Sequence, residues 1–141
     1  MKRLIFIAVC LLILSGCSSP PPKEVTPEKV VAELHVKTVL SLMEDNFEGF
    51  AHVWLDEGMR TFMLLPIDET TWAMELIQVK AGDAEFVMAY NGMVESIQYM
   101  SEVMETKLPG YSIAIVNPVN HDNILLLVKN GVVLYNWVED D

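Results

Sequence analysis

Six consecutive residues, Ile124-Leu125-Leu126-Leu127-Val128-Lys129, constrain the fold more than any other stretch of this chain. All but Lys129 are aliphatic, so a strand formed here is apolar on both faces and belongs in the interior of a sheet. Asn130-Gly131 follows, a pair suited to a two-residue type I′ hairpin turn because both positions need positive φ. Val132 to Val138 then returns as the partner strand. By alternation, Ile124, Leu126 and Val128 point to one face, and Leu125 and Leu127 to the other. Val133, Tyr135 and Trp137 alternate with Val132, Leu134 and Val138. One apolar face can rest on a long helix. The other needs the first helix, a second copy or a partner, and cover from within the chain is the simplest outcome. A face left open would mark an interface, with Leu125, Leu127, Tyr135 and Trp137 as its candidate residues.

The rest of the chain supplies the helices and further strands. Thr26 is a suitable N-cap with Pro27 at the first helical position. Val30, Val31 and Leu34 begin an apolar face that Leu40 and Met43 continue, and this helix ends near Glu44 to Asn46. Residues 47–66 read as a hairpin: Phe50, His52 and Trp54 alternate with Ala51, Val53 and Leu55. Asp56-Glu57-Gly58 forms the turn, with Gly58 free to take positive φ. Residues 70–81 suit a short helix capped by Thr70 or Thr71, although the same residues also suit a strand. Between 84 and 107, Phe86, Tyr90, Met93, Ile97, Met100 and Met104 recur at helical steps as one stripe, with Asp83 as the cap. Gly92 in that helix suits close packing against a neighbour. Tyr111 to Val116 is another strand, joined to the central one by the polar run Asn117 to Asp122. The expected fold class is α+β: one domain, an antiparallel sheet of about five strands (hairpin plus C-terminal meander), packed against a long amphipathic helix and an N-terminal helix.

The N-terminus has a different character. Lys2 and Arg3 precede an uncharged apolar run, Leu4 to Leu14, too short to span a bilayer, which takes about 20 residues. Leu14-Ser15-Gly16-Cys17 follows and resembles the lipobox of bacterial lipoproteins. That resemblance implies a diacylglycerol on the Cys17 thiol and cleavage between Gly16 and Cys17, with acylation (palmitate, for example) of the new α-amine depending on the organism. An ordinary secretory signal with an incidental cysteine, or an uncleaved helix, are the alternatives. Two acyl chains give stable anchoring where one is marginal. The expected organisation is a signal peptide at 1–16, the lipidated cysteine and a proline-rich tether at 17–26, and the α+β domain at 27–141. The tether segment Ser18 to Thr26 contains Pro20-Pro21-Pro22, and nine residues of extended polyproline conformation reach about 28 Å. The segment NPVNHDNILLLVKNGVVLY also resembles small uncharacterised lipoproteins of Gram-positive bacteria and their phages, a likeness that brings no activity with it.

Charge and cysteine usage narrow the function classes. The chain has 9 basic and 20 acidic residues. Losing Lys2 and Arg3 with the signal leaves 7 against 20, a formal −13. That argues against nucleic acid, which needs a basic surface, and against lying flat on anionic lipid. Cys10 departs with the signal and Cys17 is consumed by lipid, so the domain has no disulfide, thiol nucleophile or thiolate ligand. His35, His52 and His121 are far apart and lack metal-ligand spacing. No Gly-x-Ser-x-Gly, Ser-x-x-Lys or phosphate loop occurs. His121, with Asn120, Asp122 and Asn123, reads as a loop that satisfies its own backbone. The methionines at 88, 93, 100 and 104 fit core filler better than an adaptable groove. The expectation is no catalytic residue, no metal and no cofactor. The chain reads as a lipid-anchored accessory or binding protein on the extracytoplasmic side of the cell membrane. Its partner would be a membrane or envelope protein, with phage exclusion or immunity as one specific role. The alternative is a small envelope hydrolase or ligand-binding domain using polar residues near His52 or His121.

Overall fold

A computed structural model describes residues 26–139 of the chain. The expected signal, Gly16 and Cys17, and the tether as far as residue 25 lie outside the described residues. Two units divide at Val30, and the second, Val31–Asp141, holds the whole sheet. In order, the elements are α1 (Pro27–Asn46), β1 (Ala51–Asp56), β2 (Thr61–Pro66), α2 (Glu69–Lys80), α3 (Ala84–Glu105), β3 (Ser112–Val116), β4 (Ile124–Lys129) and β5 (Val132–Asn136). The fold is α+β, as the hydrophobic pattern predicts. Among the described residues, no helix is long and apolar enough to cross a membrane.

The strands form one sheet in the order β1-β2-β3-β4-β5. Its pairings are antiparallel except β2 with β3, which run parallel. The sheet is therefore mixed, not antiparallel throughout. A tight turn can only reverse a strand, whereas β2 and β3 are joined by two helices, long enough for a crossover that brings the chain back to the same end. The middle position goes to β3, buried along its whole length, and β4 lies beside it with partners on both edges.

All three helices feed one core. Phe62, Leu64, Ile113, Ile115, Leu126 and Val128 of the sheet pack with Leu76 and Val79 of α2 and with Tyr90, Val94, Ile97 and Met104 of α3. The α3 stripe falls on the sheet as its spacing requires. The α1 contribution differs from the expected face: Val36, Val39, Leu40 and Met43 pack inward, while Val31 and Leu34 stay exposed.

Local chemistry sets the boundaries. Asp68, not Thr70 or Thr71, caps α2: its carboxylate accepts from the Thr71 backbone N–H at 3.0 Å and from the Thr71 hydroxyl at 2.8 Å. These bonds, the backbone one foremost, hold the Asp68 carboxyl below its ordinary value of 3.8. Asp83 caps α3 as expected. The β1–β2 turn places its positive φ at Arg60 (52°), not at Gly58, because the Asp56 carboxylate instead fixes the turn by accepting from the Met59 N–H at 2.9 Å. Asn130 and Gly131 take φ of 49° and 71°, as a type I′ turn demands. Gly92 meets no neighbour: a Cβ there would stand in open space.

Polar bonds fasten α3 to the β4–β5 hairpin. The buried Tyr90 hydroxyl donates to Asn136 Oδ1 at 2.7 Å. Gln98 Nε2 donates to the Gly131 carbonyl at 3.0 Å. Burial, with the nearby Glu139 and Tyr135 charges, pushes the Tyr90 phenol up to about 12. Among the described residues no buried side-chain nitrogen or oxygen lacks a hydrogen-bond partner.

Candidate functional site

The sheet face away from the helices carries a second apolar cluster made of strand residues alone. Met63, Ala114 and Val116 are buried there, with Leu65, Ile124 and Leu127 packed against them. Side chains alternate across a sheet, so strands that give one residue to the helices give the next to this face. Because α1 joins the helix-side core, no helix among the described residues packs on this face.

Register arranges this face in rows. Trp54, Met63, Ala114, Leu127 and Tyr135 stand directly opposite one another across all five strands. With strands about 4.8 Å apart, the row runs about 19 Å from edge to edge. Large aromatic groups stand on the edge strands and alanine at the centre, so the row is high at both ends and low in the middle. Asp56, Thr61, Ser112 and Lys129 form the neighbouring polar row. Thr61 and Ser112 share a buried hydrogen bond at 2.8 Å. Together the rows line a concave groove of about 1070 Å³. Trp54 is 40% exposed and Leu134 56%, so the walls present apolar surface to solvent.

Two bulges decide which residues reach the groove. Val116 pairs with Ile124 but Ile115 pairs with Leu126, leaving Leu125 as an extra residue on β4. Leu125 is 1% exposed and packs in the helix-side core, so it presents no surface; strict alternation assigns it to the wrong face. Leu127 and Tyr135 face each other in the groove. A second shift, between Leu127 and Val128, makes Leu134 the extra residue on β5. Trp137 stands at the groove margin, packs partly against the helix-side core, and carries the Lys80 ammonium 4.1 Å from its ring centre. Trp54, Met63 and Ala114 are the groove residues that sequence reasoning passed over. The outward alternation of His52 and Trp54 against Ala51, Val53 and Leu55 was the available signal for Trp54.

The histidines belong to different elements: His35 to α1, His52 to the edge strand β1 and His121 to the β3–β4 loop. His121 Nε2 lies 3.1 Å from the Pro118 carbonyl and 3.7 Å from a Glu69 carboxylate oxygen. Its loop is self-satisfying. Asn117 Oδ1 accepts from the Val119 and Asn120 N–H groups, and Asn120 Oδ1 accepts from the Asp122 N–H. Among the described residues, no three His, Cys, Asp or Glu side chains converge in a way that could hold a metal ion. The groove can offer apolar contact, two aromatic walls and a flanking polar row, which are the means of binding. Comparison with protein-family models, curated proteins and solved structures finds no match to this chain.

Proposed function

We propose that this protein is a lipid-anchored, non-enzymatic accessory protein of the cell envelope, and that the sheet groove is where it holds a membrane or envelope protein partner. The observation that carries this reading is the apolar face that no helix among the described residues covers, with Met63, Ala114 and Leu127 as its floor and Trp54 and Tyr135 as its walls. Interfaces concentrate aromatic and methionine side chains around an apolar centre with a polar rim. The groove has that composition, with Asp56 and Lys129 beside it. The anchor comes from the lipobox resemblance at Leu14-Ser15-Gly16-Cys17 and sets where such a partner is met.

The test is photocrosslinking in intact cells, with a benzoylphenylalanine at position 54 or 135 and a control at Tyr99, which is 70% exposed on α3. One membrane-associated protein should crosslink from 54 and 135, not from 99. It should be lost in Cys17→Ser, which should also accumulate as the full-length precursor. Equal crosslinking from all three positions would remove the groove from the reading. Mature-sized, membrane-bound Cys17→Ser protein would remove the anchor.

A further inference from the structure

The helix layer carries a concavity of its own, on the side of the sheet away from the groove. Between α2 and α3 lies a hollow of about 310 Å³ lined by Trp72, Leu76, Phe86 and Met93, with Glu75 and Glu85 also in its wall. A second hollow of about 260 Å³ adjoins it, lined by Phe47, Phe50, Leu64 and Ile97 and sharing Trp72 and Met93 with the first. The two form one apolar trough with Trp72 and Met93 at the junction. Its wall presents apolar surface to solvent: Phe50 is 74% exposed. The same layer is strongly acidic. The α2 and α3 segments carry Glu69, Glu75, Glu85, Glu95, Glu102 and Glu105 against a single base, Lys80, which lies over Trp137.

We propose that this trough binds a basic, amphipathic helix of another protein. Its apolar side chains would enter the two hollows, and its Lys or Arg residues would meet Glu75 and Glu85. An apolar trough in an acidic layer selects for that occupant by charge. A second copy of this chain would bring more acid, and anionic lipid would be repelled. Helical segments dock in such grooves through apolar anchors at i, i+3/i+4 and i+7, and a methionine at the junction adapts to their shapes. This site is independent of the sheet groove.

The experiment titrates residues 17–141, carrying Cys17→Ser to keep the chain in solution, with a synthetic amphipathic Leu/Lys helix, and a Leu/Glu helix as control. Binding is measured by calorimetry, and by tryptophan fluorescence with Trp72→Phe to assign the signal. The Leu/Lys peptide should bind and the Leu/Glu peptide should not. Glu75→Lys with Glu85→Lys should weaken binding by about tenfold or more, because it sets like charges against each other at the contact. Glu95→Lys with Glu102→Lys makes the same change in net charge outside the trough, and should weaken binding by less than about threefold because of screening. Met93→Trp, which fills the junction without changing charge, should also weaken it, with circular dichroism confirming an intact fold. Equal losses in the two charge-reversed pairs would mean diffuse attraction and overturn the proposal. So would undiminished binding to a folded Met93→Trp, or a loss caused by Leu134→Ser, at a 56% exposed position of the sheet groove, in a protein that remains folded.

Discussion

Tyr90→Phe tests how the long helix is held to the sheet, and its effect can be worked out in advance. The substitution keeps the buried ring and removes one hydroxyl, which donates to Asn136 Oδ1 at 2.7 Å. That oxygen still accepts from the Val138 N–H at 3.2 Å, so it is not orphaned. The loss at neutral pH should therefore be about 1–1.5 kcal/mol, not the larger cost of an unsatisfied buried acceptor. The pH dependence supplies a second check. The folded-state value of about 12 exceeds the ordinary 10. Between those values the unfolded chain releases the phenolic proton and the folded chain keeps it, so stability falls as pH rises. Two units correspond to at most about 2.7 kcal/mol, and partial solvent screening reduces this to about 1–2 kcal/mol. The contribution is fully present below pH 10 and lost as pH rises through 12. Phenylalanine has no such term, so the gap between the two proteins should be constant from pH 7 to 9, narrow by pH 11 and close near 12. Urea unfolding followed by far-ultraviolet circular dichroism at fixed ionic strength measures it. A gap below about 0.3 kcal/mol at pH 7, or one that does not change between pH 9 and 11.5, would refute the reasoning.

Gly92→Ala should stabilise the protein by about 0.5–1 kcal/mol in the same assay, since the position is mid-helix and a methyl group meets nothing there. Gly131→Ala should destabilise it by about 1 kcal/mol or more, because φ is 71° and the added Cβ would lie 3.3 Å from Glu102 Cβ. Asp68→Ala should lower the urea midpoint at neutral pH by removing the α2 cap, and Asp68→Asn should retain most of it. Because the folded-state value of Asp68 lies below 3.8, its advantage is present above that pH and lost as pH falls through the lower value, so the difference between wild type and Asp68→Ala should shrink in acid.

Local chemistry was legible wherever one residue type answers one local need. Asn130-Gly131 names its turn because only such residues accept two successive positive φ values. The 4-3-4-3-4 spacing from Phe86 to Met104 names its helix and the face that helix buries. Pairing direction was not legible: β2 and β3 are parallel because of what lies between them in space, and strand composition is the same for either direction. Nor was the Asp68 cap, since Asp68, Thr70 and Thr71 compete for one helix start and geometry selects among them.

The candidate site divides the same way. By itself the sequence determined that two apolar sheet faces would exist and that no cysteine chemistry would be left in the domain. Its N-terminus also resembles a lipobox ending at Cys17. Only the tertiary structure decided that α1 packs with the other helices, so that among the described residues no helix covers the second face. It also decided that a bulge turns Leu125 into the core, and that Trp54 and Tyr135, 81 positions apart, stand at opposite ends of one row. Periodicity reports which side of an element is apolar, which is a property of neighbouring residues. Which surface covers that side depends on contacts between distant segments, and on single-residue register shifts that leave almost no trace in composition.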